Sequence, residues 1–341
     1  MHDGSVVQVK SRPVIDRLGI AMRASHVLVV LFVIGGIVFA AIGTAMGDTF
    51  FLRLATEALI FAGLALSVDI LLGYTGLLSL GQALYFGLGA YVSAVVLKQI
   101  PSFWAAMAAV LLVSLVVGFA AGLIANRVRG VYFALVTFGL AQVVAKAIYN
   151  TRALGASDGL IGVPIVPVDF GVVTVMSNAP AGFFLVTLGV IVILYAISGY
   201  LLDTPFGQVL IALRANERRV PFLGYSTRNA RLAAYVIAAV VAALSGALYP
   251  MLRGFVSPEL LFFSTSGNAV ITVVIGGVGT LAGALYGGVI LTVLKSVVGS
   301  MTENHLIVIG LLFMAVVIFL PKGLMGLARP QIERLLGREA R

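Results

Sequence analysis

Residues 103–125 read FWAAMAAVLLVSLVVGFAAGLIA. The run holds no charged side chain, and about 20 apolar residues are enough to cross a bilayer as a helix. Polar residues return at its flanks, with Lys98 before it and Arg127 and Arg129 after it. Comparable runs occupy 25–46, 54–72, 76–97, 131–149, 181–202, 230–252, 267–280, 282–300 and 305–320, so the sequence predicts ten spans. The whole chain has the same character. Of 341 residues, 61% are hydrophobic and 10% are charged. Soluble domains carry about 25% charged residues, and a soluble fold needs that polar surface to cover its core. Composition therefore excludes a soluble enzyme, a disordered chain and a fibrous one. The expected fold is all-α: a polytopic transmembrane helical protein of about ten spans, with both termini cytoplasmic.

The charges orient the spans. The net charge is +9, from 22 basic and 13 acidic residues. In a soluble protein this would raise nucleic-acid binding; here it reads as a topology signal, with no nucleic-acid partner. The basic N-terminal segment 1–24, the short link 126–130, the loop 203–229 and the tail 321–341 carry most of the basic residues. Only Arg53, Lys98, Arg152 and Arg253 fall on the other side or its edges. The apolar run from Ser25 is long for a signal peptide and reads as a retained first span of a transmembrane domain over 25–320. Spans two to five and seven to ten differ by an offset of five. An odd offset gives opposite orientation and permits an inverted repeat.

A search for catalytic or metal chemistry returns little. His2, His26 and His305 are scattered, cysteine is absent, and no serine elbow or phosphate-binding lysine loop occurs. Neither cofactor nor metal is expected, and ATP hydrolysis would belong to a separate subunit. The informative residues are glycines, 39 in all, clustered at Gly73–Gly89 and Gly276–Gly288. Small residues let membrane helices approach closely. Clustered glycines equally suit broken helices, tolerated in a membrane where the freed backbone packs on protein or lines a cavity. Polar residues coincide with the first cluster: Asp69, Tyr74, Ser79 and Gln82, joined by Thr137. These are the candidates for a translocation path. Asp69 has a second reading, as a helix-end residue that reaches water. The stretch from Tyr74 to Gln82 is expected to be a broken approach to the third span.

The loop 203–229 has its own pattern. Thr204-Pro205 reads as an N-cap with proline at the first helical position. Val209, Leu210 and Leu213 follow with helical spacing, Pro221 should end the helix, and Gly224 suits a turn. Such a helix can lie on membrane lipid or dock on a soluble partner.

At this loop the chain resembles the membrane permease subunits of branched-chain amino acid ATP-binding cassette importers. The ordered motifs are Gly73-Tyr74-Thr75-Gly76-Leu77-Leu78-Ser79-Leu80-Gly81-Gln82, Gly87 to Tyr91, and Arg129 to Thr137. Ser157-Asp158-Gly159-Leu160 follows, then Thr204 to Glu217, Phe255 to Glu259, Ile275 to Thr280 and Leu320 to Leu324. The longer of the family's two paired permeases fits best. The chain departs from the pattern at Leu154-Gly155-Ala156, at Gln208 and at Arg219-Val220-Pro221.

The resemblance implies a bacterial inner-membrane importer with a second homologous permease, two ATPase subunits and a periplasmic substrate-binding protein. It implies branched-chain or related amino acids as substrate, with urea, amides or aromatic acids as the alternative within the same importer type. It places Gly207, Arg214, Ala215, Asn216, Glu217 and Gly224 in the ATPase-coupling segment, and Ser157 and Asp158 in an external loop. A self-contained secondary transporter is the competing class. Its ion coupling would have to rest on Asp69, Lys146 or Lys295.

Overall fold

The computed structural model describes residues 14–169, 174–301, 305–320 and 323–326. The basic segments 1–24 and 321–341 lie largely outside these residues. The described residues are mainly helical: α1 (Val14–Met46), α2 (Thr49–Asp69), α3 (Gln82–Gln99), α4 (Phe103–Ala125), α5 (Val131–Asn150) and α6 (Pro180–Asp203). A short α7 (Pro205–Asn216) leads into α8 (Thr227–Ala247), α9 (Tyr249–Arg253), α10 (Phe263–Gly276), α11 (Ala282–Met301) and α12 (His305–Phe319). Two small antiparallel pairs lie between helices. One joins β1 (Leu160–Ile161) to β4 (Phe255–Val256), the other β2 (Pro167–Asp169) to β3 (Thr174–Met176).

Among the described residues, eight helices are long and apolar enough to cross a membrane. The two remaining predicted spans correspond to α3 and to α10, an apolar helix of only 14 residues. Boundaries move for identifiable reasons. The first span runs back to Val14 without a break at residue 24. The third begins at Gln82 rather than 76, because Gly76 adopts left-handed geometry (φ 71°) and interrupts the helix. The eighth ends at Gly276, because Gly277 and Gly279 take positive φ.

The packing follows a rule. α2 packs on α11 as α8 packs on α4; α3 packs on α4 as α10 packs on α11. α3 lies on α8 as α10 lies on α2, and α5 touches α3 and α4 as α12 touches α10 and α11. Exchanging the second to fifth spans with the seventh to tenth maps these contacts onto one another, as an offset of five demands. α2 and α8 meet at the centre. Contact between α3 and α8 is close enough that each needs a glycine. A Cβ at Gly89 would strike the Ala243 carbonyl, and one at Gly246 the Phe86 carbonyl.

Polar side chains bind the helices where water is absent. Ser245 Oγ donates to the Ile60 carbonyl, and Ser93 Oγ to the Ala247 carbonyl at 2.9 Å. The Tyr85 and Tyr235 hydroxyls meet at 3.1 Å.

Candidate functional site

At one end of the bundle α7 meets both glycine-rich breaks. The first break starts where α2 widens into a π-helical turn over Ile70–Thr75. A widened turn leaves carbonyls without their usual partners. Thr75 Oγ1 donates to the Leu71 carbonyl at 2.6 Å, and the Leu77 N–H donates to the same carbonyl at 3.1 Å. The carbonyl of Gly73 is taken by Arg214 Nη1, which arrives from α7.

The second break, between α10 and α11, carries three residues of positive φ: Gly277, Gly279 and Leu281. A non-glycine residue in that region costs roughly 1–3 kcal/mol and persists only when its surroundings hold it there. Asp69 does so. Its Oδ1 accepts from the Gly279 N–H at 2.6 Å and its Oδ2 from the Leu281 N–H at 2.9 Å. Both donors lie just before α11, where the helix dipole favours a negative charge. Asp69 is fully buried and does not reach water. The two breaks are in contact: a Cβ at Gly73 would collide with Asp69 Oδ1 and with the backbone of Gly279. The Arg214 guanidinium lies 3.1 Å from where a Cβ on Gly279 would be.

α7 is fixed by its sequence. Gly207 sits so tightly in the corner with α6 that any side chain would strike the Leu202 carbonyl. Val209, Leu210 and Leu213 are buried, while Arg214, Ala215 and Asn216 are exposed in part or in full. Thr204 stands at the N-cap position with Pro205 behind it, but its hydroxyl donates back to the Leu201 carbonyl at 2.6 Å and caps nothing. The helix ends at Asn216, before the expected stop at Pro221. Asn216 Oδ1 accepts from the Arg218 N–H at 3.1 Å and turns the chain. Pro221 instead opens a 3₁₀ turn over Val220–Leu223, closed by Gly224 with φ 82°. Beyond α7, Phe222 is 90% exposed, and Leu223 and Tyr225 are exposed beside it. Sequence reasoning missed this apolar patch, whose only signal was Phe222, Leu223 and Tyr225 soon after the polar run Asn216–Arg219.

Glu217 points back into its own chain. It pairs with Arg231 at 3.2 Å and with Arg129 at 3.4 Å, tying the end of α7 to α8 and to the link between α4 and α5. Asn126 Nδ2 donates to the Arg228 carbonyl at 2.6 Å and extends this network. The acidic partner for Arg129 and Arg231 had no local sequence signal.

Ser79, Gln82 and Thr137 are brought together, and all three are buried. Thr137 Oγ1 accepts from the Leu80 N–H at 3.3 Å and donates to the Ala134 carbonyl at 3.0 Å. Gln82 lies between Ser79, at 3.5 Å, and Ser67, at 3.4 Å. At the start of α3 the Ala83 N–H donates to Ser266 Oγ of α10 at 3.0 Å. Tyr74 is partly buried between this cluster and the junction in sequence. None of these residues lines the cavity between α2, α9, α10 and α11 or the smaller one beside Arg253. Ser157 and Asp158 lie in an exposed 3₁₀ turn, the Ser157 hydroxyl donating to Asp158 Oδ1 at 3.1 Å. Lys146 stands over the ring of Tyr149, 5.0 Å from its centroid. Among the described residues no group of three or more histidine, aspartate or glutamate side chains could hold a metal ion.

Comparison with known proteins adds the family. The model of the branched-chain amino acid transport system permease component matches residues 50–317, more than half of the chain. The chain belongs to this permease family. The permease is 29% identical to the high-affinity branched-chain amino acid transport system permease protein LivM of Salmonella typhimurium, over 93% of its own length and 80% of the relative's. The Escherichia coli LivM is 28% identical over 92% and 79%. The Escherichia coli LivH, the second permease of the same named system, is 23% identical over 81% and 93%. The permease is thus LivM-like, a multi-pass protein of the bacterial inner membrane. No solved structure gives a significant match.

Proposed function

We propose that the permease forms half of the translocation path of an ATP-driven importer for branched-chain amino acids, and that α7 is the element on which an ATPase subunit acts. One observation carries the second half of this reading. Arg214, on a short helix with an exposed face, is bonded to one break, and that break is packed against the other through Asp69. Displacing α7 would move the Gly73–Gly76 segment and the 277–281 segment together. Those segments set the positions of α3 and α11, each of which packs on a central helix. The exposed Phe222, Leu223 and Tyr225 give a soluble partner an apolar contact next to α7. On this reading the rest of the assembly is a second, LivH-like permease, two ATPase subunits and a periplasmic binding protein that delivers the solute; the existence of LivM and LivH as permeases of one named system supports the first of these.

On this reading Glu217 supports the coupling helix from behind, and Ser79, Gln82 and Thr137 hold the start of α3 in place. They reach the path only when the segment 76–81 moves. The test is uptake by proteoliposomes holding both permeases and the ATPases, with binding protein and radiolabelled leucine outside. Leucine accumulation should require ATP and the binding protein. Uptake that persists without the ATPases and collapses with an ion gradient would replace this reading with a secondary transporter. Uptake of urea or an amide with leucine excluded would move the substrate class.

A further inference from the structure

The end of the bundle opposite α7 holds a cavity of about 660 Å³ between α2, α9, α10 and α11. Small-molecule sites commonly have volumes of about 300–1,000 Å³. The cavity runs along α2 from Arg53 to Leu64, a depth of about 16 Å at the helical rise. Further along α2 and α11 the lining is mostly apolar, with Phe61, Leu64, Ala269 and Leu291. Its mouth is charged, with Arg53, Arg253 and Lys295 around a single carboxylate, Glu57. Asn268, Thr272 and Thr292 add neutral polar groups to the lining.

The charges are unequally used. Glu57 is paired with Arg253 and is 15% exposed at its side chain. Arg53 and Lys295 have no acidic partner among the described residues, although Lys295 is half-buried. A half-buried ammonium without a counter-charge is costly in an apolar surrounding and is relieved by an anion.

We propose that this cavity is a binding site for an α-amino acid with an apolar side chain. The carboxylate of the solute is held by Lys295 and Arg53, its ammonium faces Glu57, and its hydrocarbon side chain enters the pocket of Phe61, Leu64 and Leu291. The lining separates this solute from urea and from an amino alcohol by chemistry. Urea brings no charge for the mouth and no hydrocarbon for the floor. An amino alcohol brings the ammonium and the side chain, but nothing for Lys295. The assignment rests on the importer reading given above and names where in the chain the solute is met.

The absence of native cysteine makes a direct test available. Thr292→Cys in the assembled importer, in proteoliposomes, is modified with a membrane-impermeant thiol reagent, and label on this chain is followed over time. Millimolar leucine should slow modification at least threefold, whereas leucinol and urea should leave the rate unchanged. Adding Lys295→Gln should abolish protection by leucine without lowering the rate measured in its absence. An unreactive thiol, an equal rate with and without leucine, or equal protection by leucinol would overturn the assignment. The Thr292→Cys comparison alone is sufficient should the Lys295 variant fail to assemble. Leucine uptake by the unmodified importer is read separately: uptake without protection removes the cavity and leaves the importer, and protection without uptake does the reverse.

Discussion

Asp69 shows what one buried carboxylate can do in a membrane helix. Hydrogen bonds to a charged group contribute roughly 1.5–3 kcal/mol each, and Asp69 makes two, both to a segment strained by Leu281. Asp69→Asn keeps the size of the side chain but turns one acceptor into a donor that faces an N–H. We expect uptake to fall by tenfold or more while ATP hydrolysis by the complex continues, measured side by side in proteoliposomes. Equal loss of both activities would point to misfolding. Glu217 leads to a second residue-level prediction. Reversing it to arginine gathers three guanidinium groups, since Arg129 and Arg231 already surround it. Glu217→Arg should lower the yield of assembled complex, and adding Arg129→Glu should restore part of it; no restoration would mean that the effect lies outside this ion-pair cluster. The sequence showed Asp69 as an ionisable residue in a span, which is why it stood out. Its role was not legible, because its partner Gly279 lies 210 positions away and donates through backbone, which no side-chain pattern records.

At the scale of elements, local rules explain most of what was readable. Gly76 and Gly224 carry the positive φ that their turns require, and Pro205 stands at the start of α7. The missed end of α7 has a local cause too: Asn216 bonds to the Arg218 N–H and stops the helix five residues before Pro221. The apolar run points to a start of α3 at 76 because Leu77, Leu78 and Leu80 continue it, although they belong to the irregular stretch before the helix. That stretch is held by Gly81, where a Cβ would press on the Thr137 carbonyl at 2.5 Å. Gly81→Leu should therefore abolish uptake and also lower the melting temperature of the purified permease by several degrees. A variant with unchanged thermal stability would show that the stretch has room to move away from α5.

For the molecule as a whole, the number and order of apolar runs were legible because a helix in lipid must satisfy its own backbone, and that needs length. The paired packing of the two sets of four spans was legible only as an offset of five, since helix contacts depend on shape and the halves share little sequence. Orientation rests on the basic residues and can be tested across the whole chain. A single cysteine at Ser226, beside α7, should resist an impermeant reagent in intact cells, and one at Ser157, at the opposite end, should react. Reversal of the two results would turn the protein over.

The polar character of α3 bears on how the protein is made. Gln82, Ser93, Lys98 and Gln99 lie in this 18-residue helix, which is not among those apolar enough to cross alone. Its neighbour α4 is one of them and packs directly on it. A segment that partitions poorly into lipid must leave the insertion machinery in company. The nascent chain is therefore expected to hold α3 back until α4 has been synthesised, and to release the two as a hairpin beside α2. The first stable membrane intermediate would then end near residue 125 rather than near residue 99.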